Sequence, residues 1–431
     1  MPDYRKLPAQ QLKEALAQDR LKYETFKKLG LKLDMSRGKP DADQLDLSTG
    51  LNETVGAKAG FLSEAGTDAR NYGLPDGLPE IRRLFAEILE VRPEEVIAGG
   101  NSSLNLMFDT VSYCCTHGVP GGEPWCRTPA VRFLCPSPGY DRHFAVSEFF
   151  GFELVPVRMT PDGPDMDEIR ALVEDESVKG MWSVPRYSNP TGVTYSDDTV
   201  CALAQMKTAA PDFRIFWDDA YCVHDLYEQG DRLLPLLACC REAGNPDRAL
   251  IFASTSKITY AGAGVAAMAA SKANIAWLKK PLTARTIGPD KLNQLRHARF
   301  LPDLNAVRAQ MRRHAALLRP KFELVLGTLE QALAGTGIAQ WSKPNGGYFI
   351  SVDVFPGTAA RVVALCKEAG VVLTPAGATW PYGRDPLDRN IRLAPTFPPL
   401  SELDPAIGVF CVCARIAAAE KLLSGRTAAV S

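Results

Sequence analysis

One lysine, Lys257, lies in "STSKITYAG" directly after the apolar run "ALIFA", among small hydroxyl- and methyl-bearing residues and with no acidic neighbour. A lysine held at the end of a buried strand is partly desolvated, which lowers its pKa and makes its amine a nucleophile. Three other polar groups follow apolar runs in the same way. "MWSVP" leads to Asn189 in "NPTG", "FRIFW" leads to Asp218, Asp219 and Tyr221, and "EEVIA" leads to "GGNSSL". Taken singly, each has a bland reading: a turn, a helix cap or a glycine-rich bend. Four polar sites at the ends of four different apolar segments are harder to obtain as four independent turns.

The elements that must position these groups alternate. From about residue 45 to 300 the pattern is strand, polar turn, helix, repeated, with strands in "RFLCPSPGY", "FELVPVRM", "KGMWSVP", "FRIFWDDAY" and "RALIFAS". "LNLMFDTVSYCC" has a helical apolar face, and "SDDTVCALAQ" opens on a Ser196 N-cap. Buried strands alternating with helices predict an α/β fold, a mostly parallel sheet covered on both faces. In such sheets ligands bind outside the carboxyl ends of the strands, where the four groups fall. The end of the chain differs: a long helical pattern over "LNAVRAQMRRHAALLRPKFELVLGTLEQAL", expected to bend or break at Pro320, precedes short strands and "AARVVALCKEAG". With 431 residues the chain exceeds one hydrophobic core. The expected division is a large domain over residues 46–305 and a smaller α+β domain from residues 1–45 plus 306–431, closing over the substrate.

Composition excludes several classes. Lysine plus arginine total 49 and aspartate plus glutamate 50, so no one-signed field draws nucleic acid or a membrane surface. The first twenty residues lack an apolar signal core, and no apolar run reaches the ~20 residues that span a bilayer. Eleven cysteines, an odd number without paired CxxC spacing, argue against a disulfide framework or a structural metal and for reduced thiols in a cytoplasm.

A single cofactor would use all four sites. Pyridoxal 5'-phosphate needs a lysine for a Schiff base, an anion site for its phosphate, a carboxylate on its ring nitrogen and donors to its phenolic oxygen. Lys257 and Asp218 fit the first and third needs. Asn101, Ser102 and Ser103 with Ser254 and Ser256 fit the anion site, while Asn189 and Tyr221 fit the phenolic oxygen.

At this point the chain resembles the fold-type I aminotransferases of the aspartate aminotransferase superfamily (class I). The ordered motifs are Tyr72 with "GLPDGLPEIR", "GNSSL", Tyr140 in "SPGY", "NPTG", "DDAY", "STSK", "GGYF" and "NIRLAP". The resemblance implies a seven-stranded-type sheet. It also implies that Tyr140 stacks on the cofactor ring and that Tyr72 reaches the phosphate bound by the other subunit of a homodimer. Arg392 would grip the substrate α-carboxylate, Asn189 would line the substrate site, and Gly38 and Lys39 would lie in a segment closing over the substrate. One departure stands out: the family's phosphate-binding arginine, eight residues after the lysine, is Val265 here. That spacing, with "IGPDKLNQLRHARFL", is similar to a divergent aspartate aminotransferase subgroup related to the catalytic halves of MocR-type regulators. The activity implied is ping-pong transfer from a dicarboxylic L-amino acid to 2-oxoglutarate. A lyase or decarboxylase on the same residues, or a cofactor-binding regulator, shares the motifs, though no DNA-binding segment precedes them. Lys39, Arg37 and Arg285 are the candidates for a distal carboxylate.

Overall fold

The computed structural model describes residues 2–428. Among the described residues there are thirteen strands, beginning with β1 (Leu33–Asp34), which pairs in parallel with β12 (Val371–Val372). The main sheet holds eight strands. β2 (Val96–Ala98) lies at one edge, followed by β9 (Ala266–Ala270), β8 (Ala249–Ser254), β7 (Arg214–Asp218), β6 (Val178–Ser183), β3 (Arg132–Ser137), β4 (Glu153–Thr160) and β5 (Gly163–Pro164). The β3/β4, β3/β6, β6/β7 and β7/β8 pairs are parallel, while β9 runs antiparallel to both its neighbours. Seven strands make the working sheet; the eighth, β5, is a two-residue antiparallel addition at the edge.

Successive side chains of a strand point to opposite faces, and here both faces are apolar. Along β7, Phe216 joins one core cluster while Ile215 and Trp217 join the other. Along β8, Leu250 and Phe252 face one way and Ile251 and Ala253 the other. With both faces filled, a polar group on these strands has room only at their ends. The sequence does not mark β9 as a strand, because "AAMAA" has little strand propensity. Its alternating alanines nevertheless pack into both clusters, where small side chains are what the space admits.

A third cluster gathers the N-terminal helix Ala9–Lys28, the long helix Leu304–Leu333 and the final helix Leu400–Ala428. With them pack β10 (Ala339–Trp341), β11 (Ile350–Val354) and β13 (Asn390–Leu393), a three-stranded antiparallel sheet. The helix Leu304–Leu333 runs unbroken through Pro320, so of the bend or break expected there the break does not occur. Packing of its buried stripe, Val307, Met311, Leu318, Phe322, Val325 and Leu329, outweighs the loss of one backbone bond. All eleven cysteines are free thiols. Among the described residues no helix is long and apolar enough to cross a membrane.

Candidate active site

The carboxyl ends of the parallel strands open onto a cavity of about 670 Å³. Lys257 lines it, three residues past the end of β8. Its ammonium lies 5.1 Å from the centroid of the Tyr221 ring and 5.9 Å from that of Tyr348. Burial pushes the lysine pKa down, opposed by the charge of Asp218. Thr255 pins the turn: its hydroxyl accepts from Val265 N at 2.8 Å, and its carbonyl accepts from Ile258 N.

Asp218 is the last residue of β7 and is 3% exposed. His143 Nε2 bonds Asp218 Oδ2 at 3.0 Å, and the His143 ring stacks on Trp182. The second oxygen, Oδ1, is buried without a partner. An orphaned carboxylate oxygen is costly in a folded protein unless a bound group completes it. Asp219, its neighbour, turns to the other side of the sheet and does not line the cavity.

The helix Ser103–His117 points its N-terminus at the cavity, and its N-cap Ser102 makes no side-chain capping bond. Its first amides are thus left for an anion. Ser254 Oγ donates to Ser256 Oγ at 3.1 Å, and Ser256 Oγ donates to the Asn101 carbonyl at 3.4 Å. Asn101 itself contributes its backbone, while its side chain bonds Gly262 O. Val265, where the family's arginine would stand, is 1% exposed and packed in the core.

Arg392, on β13, crosses to these strand ends. Its NH1 donates to Asp141 Oδ1 at 3.0 Å and to Asn189 Oδ1 at 3.2 Å, its guanidinium lies over the Phe349 ring at 4.8 Å, and its Nε is buried without a partner. Asp388 is not its partner. Gly38 borders the same cavity; a Cβ there would lie 2.4 Å from Phe349 Cζ, so no larger residue fits without moving that ring.

Of the residues singled out from sequence, Ser102, Ser103, Tyr140, Asn189, Asp218, Tyr221, Ser254, Ser256, Lys257, Gly38 and Arg392 share this cavity. Asn101 touches it through Ser256. Two are not brought to it within one chain: Tyr72 is 81% exposed, and Lys39 sits over the Phe397 ring at 3.8 Å. Of the distal-carboxylate candidates, Arg285 is paired with Asp109 at 2.8 Å, whereas Arg37 lines the cavity. Sequence reasoning missed His143, whose signal was its place one helical turn after Tyr140, and also Asp141, Arg142 and Phe349.

The donor set fits pyridoxal phosphate: an amine of lowered pKa, a carboxylate on the same cavity with one buried, unpartnered oxygen, and hydroxyls with open helix amides at the start of the helix Ser103–His117. Such a sheet with such strand ends is that of the fold-type I aminotransferases. More particularly, the aspartate amino-transferase family model matches residues 7–426, and the chain belongs to that family and is a transaminase. It is 49% identical over 400 residues to an aspartate aminotransferase of Corynebacterium glutamicum, covering 93% of this chain and 92% of that protein. A crystal structure of an aspartate transaminase from Corynebacterium glutamicum superposes with a TM-score of 0.95 at 46% identity, covering 97% of this chain and 99% of that one. An alpha-aminoadipate aminotransferase from Thermus thermophilus, solved with N-(5'-phosphopyridoxyl)-L-leucine, shares the fold at a TM-score of 0.71 and 21% identity, over 91% and 93% of the two chains.

Proposed function

We propose that this transaminase moves the amino group of aspartate, or of another dicarboxylic L-amino acid, to 2-oxoglutarate in two alternating half-reactions. The cofactor is pyridoxal 5'-phosphate, held covalently through Lys257 Nζ. The observation that carries the reading is the convergence of Lys257, the bare Oδ1 of Asp218 and the Arg392 guanidinium, whose Nε has no partner, on one cavity. When bound, the cofactor supplies an aldehyde for the amino group and a ring that accepts electrons as the α-proton leaves.

Each residue then has a task within its reach. Asp218 Oδ1 would hold a proton on the ring nitrogen, with His143 fixing the carboxylate through Oδ2. Lys257 Nζ would take up and return the α-proton; a lowered pKa suits an amine to that work near neutral pH. The Tyr221 hydroxyl and the Asn189 amide hold the phenolic oxygen, and Tyr140 covers the ring. Ser254, Ser256 and the amides from Asn101 to Ser103 hold the phosphate. Arg392 presents its planar fork to the α-carboxylate, a geometry that an ammonium does not supply.

The same reading includes closure of the smaller unit, residues 1–45 plus 306–431, carrying Gly38 and Lys39 over a site on residues 46–305. It also includes a cytoplasmic homodimer in which Tyr72 of each subunit completes the other's phosphate site; the exposure of Tyr72 and of Ile287, whose chain neighbours Gly73 and Gly288 lie against each other, supports such a contact. Steady-state rates with aspartate, alanine and an aromatic amino acid, each with 2-oxoglutarate, and with glutamate and oxaloacetate, test the function. Dicarboxylic donors should lead and glutamate should accumulate from aspartate. Ammonia or carbon dioxide released without a new amino acid would contradict it.

A further inference from the structure

Four basic side chains line the cavity, Lys257, Arg392, Arg37 and Arg142, against two acidic ones, Asp141 and Asp218. Both acids are engaged, Asp218 by His143 and Asp141 by Arg392. The guanidinium groups of Arg37 and Arg142 make no ion pair and no hydrogen bond among the described residues. Two unpaired arginines at the mouth of a cavity that already holds an α-carboxylate grip form an excess of positive charge with no internal use.

Their position says what they meet. Arg142 follows Asp141, the residue bonded to Arg392. Arg37 precedes Gly38, which lies against the Phe349 ring on which the Arg392 guanidinium rests. Both are therefore tied to the Arg392 end of the cavity, whereas the phosphate corner is built by Ser254, Ser256 and the start of the helix Ser103–His117. The other cations suggested by sequence are engaged: Arg285 by Asp109 and Lys39 by the Phe397 face.

We infer that Arg37 and Arg142, from the same chain, bind the distal carboxylate of a dicarboxylic amino or oxo acid whose α-carboxylate is on Arg392. Guanidinium forks suit a carboxylate, and one arginine from each side of the cleft fixes the length of chain that fits between the two ends. The inference rests on the amino-transfer reading and names its specificity determinant. Arg37 sits in the N-terminal segment and Arg142 after β3, so a dicarboxylate spans from Arg392 to this pair and a monocarboxylate does not.

The test uses the cofactor-loaded protein as wild type, Arg37→Gln, Arg142→Gln and the double variant. Both side chains are exposed, so the variants should fold. Two readouts apply: calorimetric affinities for succinate and propionate, which do not react, and the ratio of kcat/KM for aspartate to that for alanine. Each single variant should lower the ratio about tenfold, the worth of ~1.4 kcal/mol, and the double variant further. Succinate should lose its advantage over propionate in step. A ratio within twofold of wild type in the double variant overturns the inference. So does an equal loss for alanine and propionate, which would make the pair a general field, or dissociation of cofactor with the substrate preference kept, which would place them at the phosphate. If the wild type transfers no amino group from any donor, the amino-transfer reading fails, while the succinate titration still reports on the two arginines.

Discussion

His143 Nε2 and Asp218 Oδ2 are 3.0 Å apart, and that bond occupies one carboxylate oxygen while leaving the other, Oδ1, buried and bare. A carboxylate fixed on one side and open on the other is suited to hold one proton at one place. Asp218→Asn keeps the shape and loses the charge. Turnover should fall by roughly 100- to 1,000-fold, the scale seen when a fixed electrostatic partner of the reacting group is removed. Cofactor content should stay within a few-fold. Stopped-flow measurement of the aspartate half-reaction reads this. A crippled Asp219→Asn beside a near-normal Asp218→Asn would assign the role to the wrong carboxylate.

Asp219 has its own signature, in stability. Burial raises its pKa from the usual 3.8 to about 7, with Asp218 and Glu90 adding to the rise and Arg186 opposing it. The unfolded chain loses this proton near pH 4 and the folded chain near pH 7. Between those values the folded state holds the extra proton, so this group's contribution to stability falls as pH rises and levels off above about 7. The whole span is a few kcal/mol at ~1.4 kcal/mol per pKa unit. Asp219→Asn should flatten that part of the profile in urea titrations from pH 5 to 8, gaining on wild type at the alkaline end. Parallel profiles for the two proteins would contradict the assignment.

Arg392→Lys keeps the charge and loses the fork. With Asp141 and Asn189 left to share an ammonium, kcat/KM should drop by roughly 2–3 kcal/mol, on the order of 100-fold. The loss should be equal for aspartate, glutamate and alanine, because all carry the α-carboxylate. A loss confined to dicarboxylic donors would put Arg392 at the distal end instead.

Tyr72 is 81% exposed in a single chain and, among the described residues, bonds only its own neighbour, Asn71, through its backbone amide. Mixing inactive Tyr72→Ala and Lys257→Ala proteins under exchange conditions should restore activity, since some mixed dimers carry one intact site. No recovery, or a fully active monomer in sedimentation, would remove Tyr72 from the shared site.

Much of this site was legible because each polar group follows an apolar strand, and a sheet filled on both faces leaves polar groups nowhere else to go. Lys257, Asp218 and Asn189 could be placed by that argument alone. His143 could not, because it acts from a helix that the strand pattern does not mark, on a partner 75 residues away. β9 escaped because alanine signals neither strand nor core, and Pro320 misled because tertiary packing overrode a local preference. Arg142 gives no local signal; only the ion pair of its neighbour Asp141 with Arg392, from the far end of the chain, places it.

In the proposed function Lys257 carries the cofactor. Its amine is desolvated, unpaired and set over the Tyr221 ring at the mouth of the sheet. The purified protein, incubated with pyridoxal phosphate, should absorb in the visible. Borohydride should then bleach it and leave one modified peptide, which mass spectrometry should place at Lys257; Lys257→Ala should yield none. A label on another lysine, or undiminished labelling of the Lys257→Ala protein, would contradict the account.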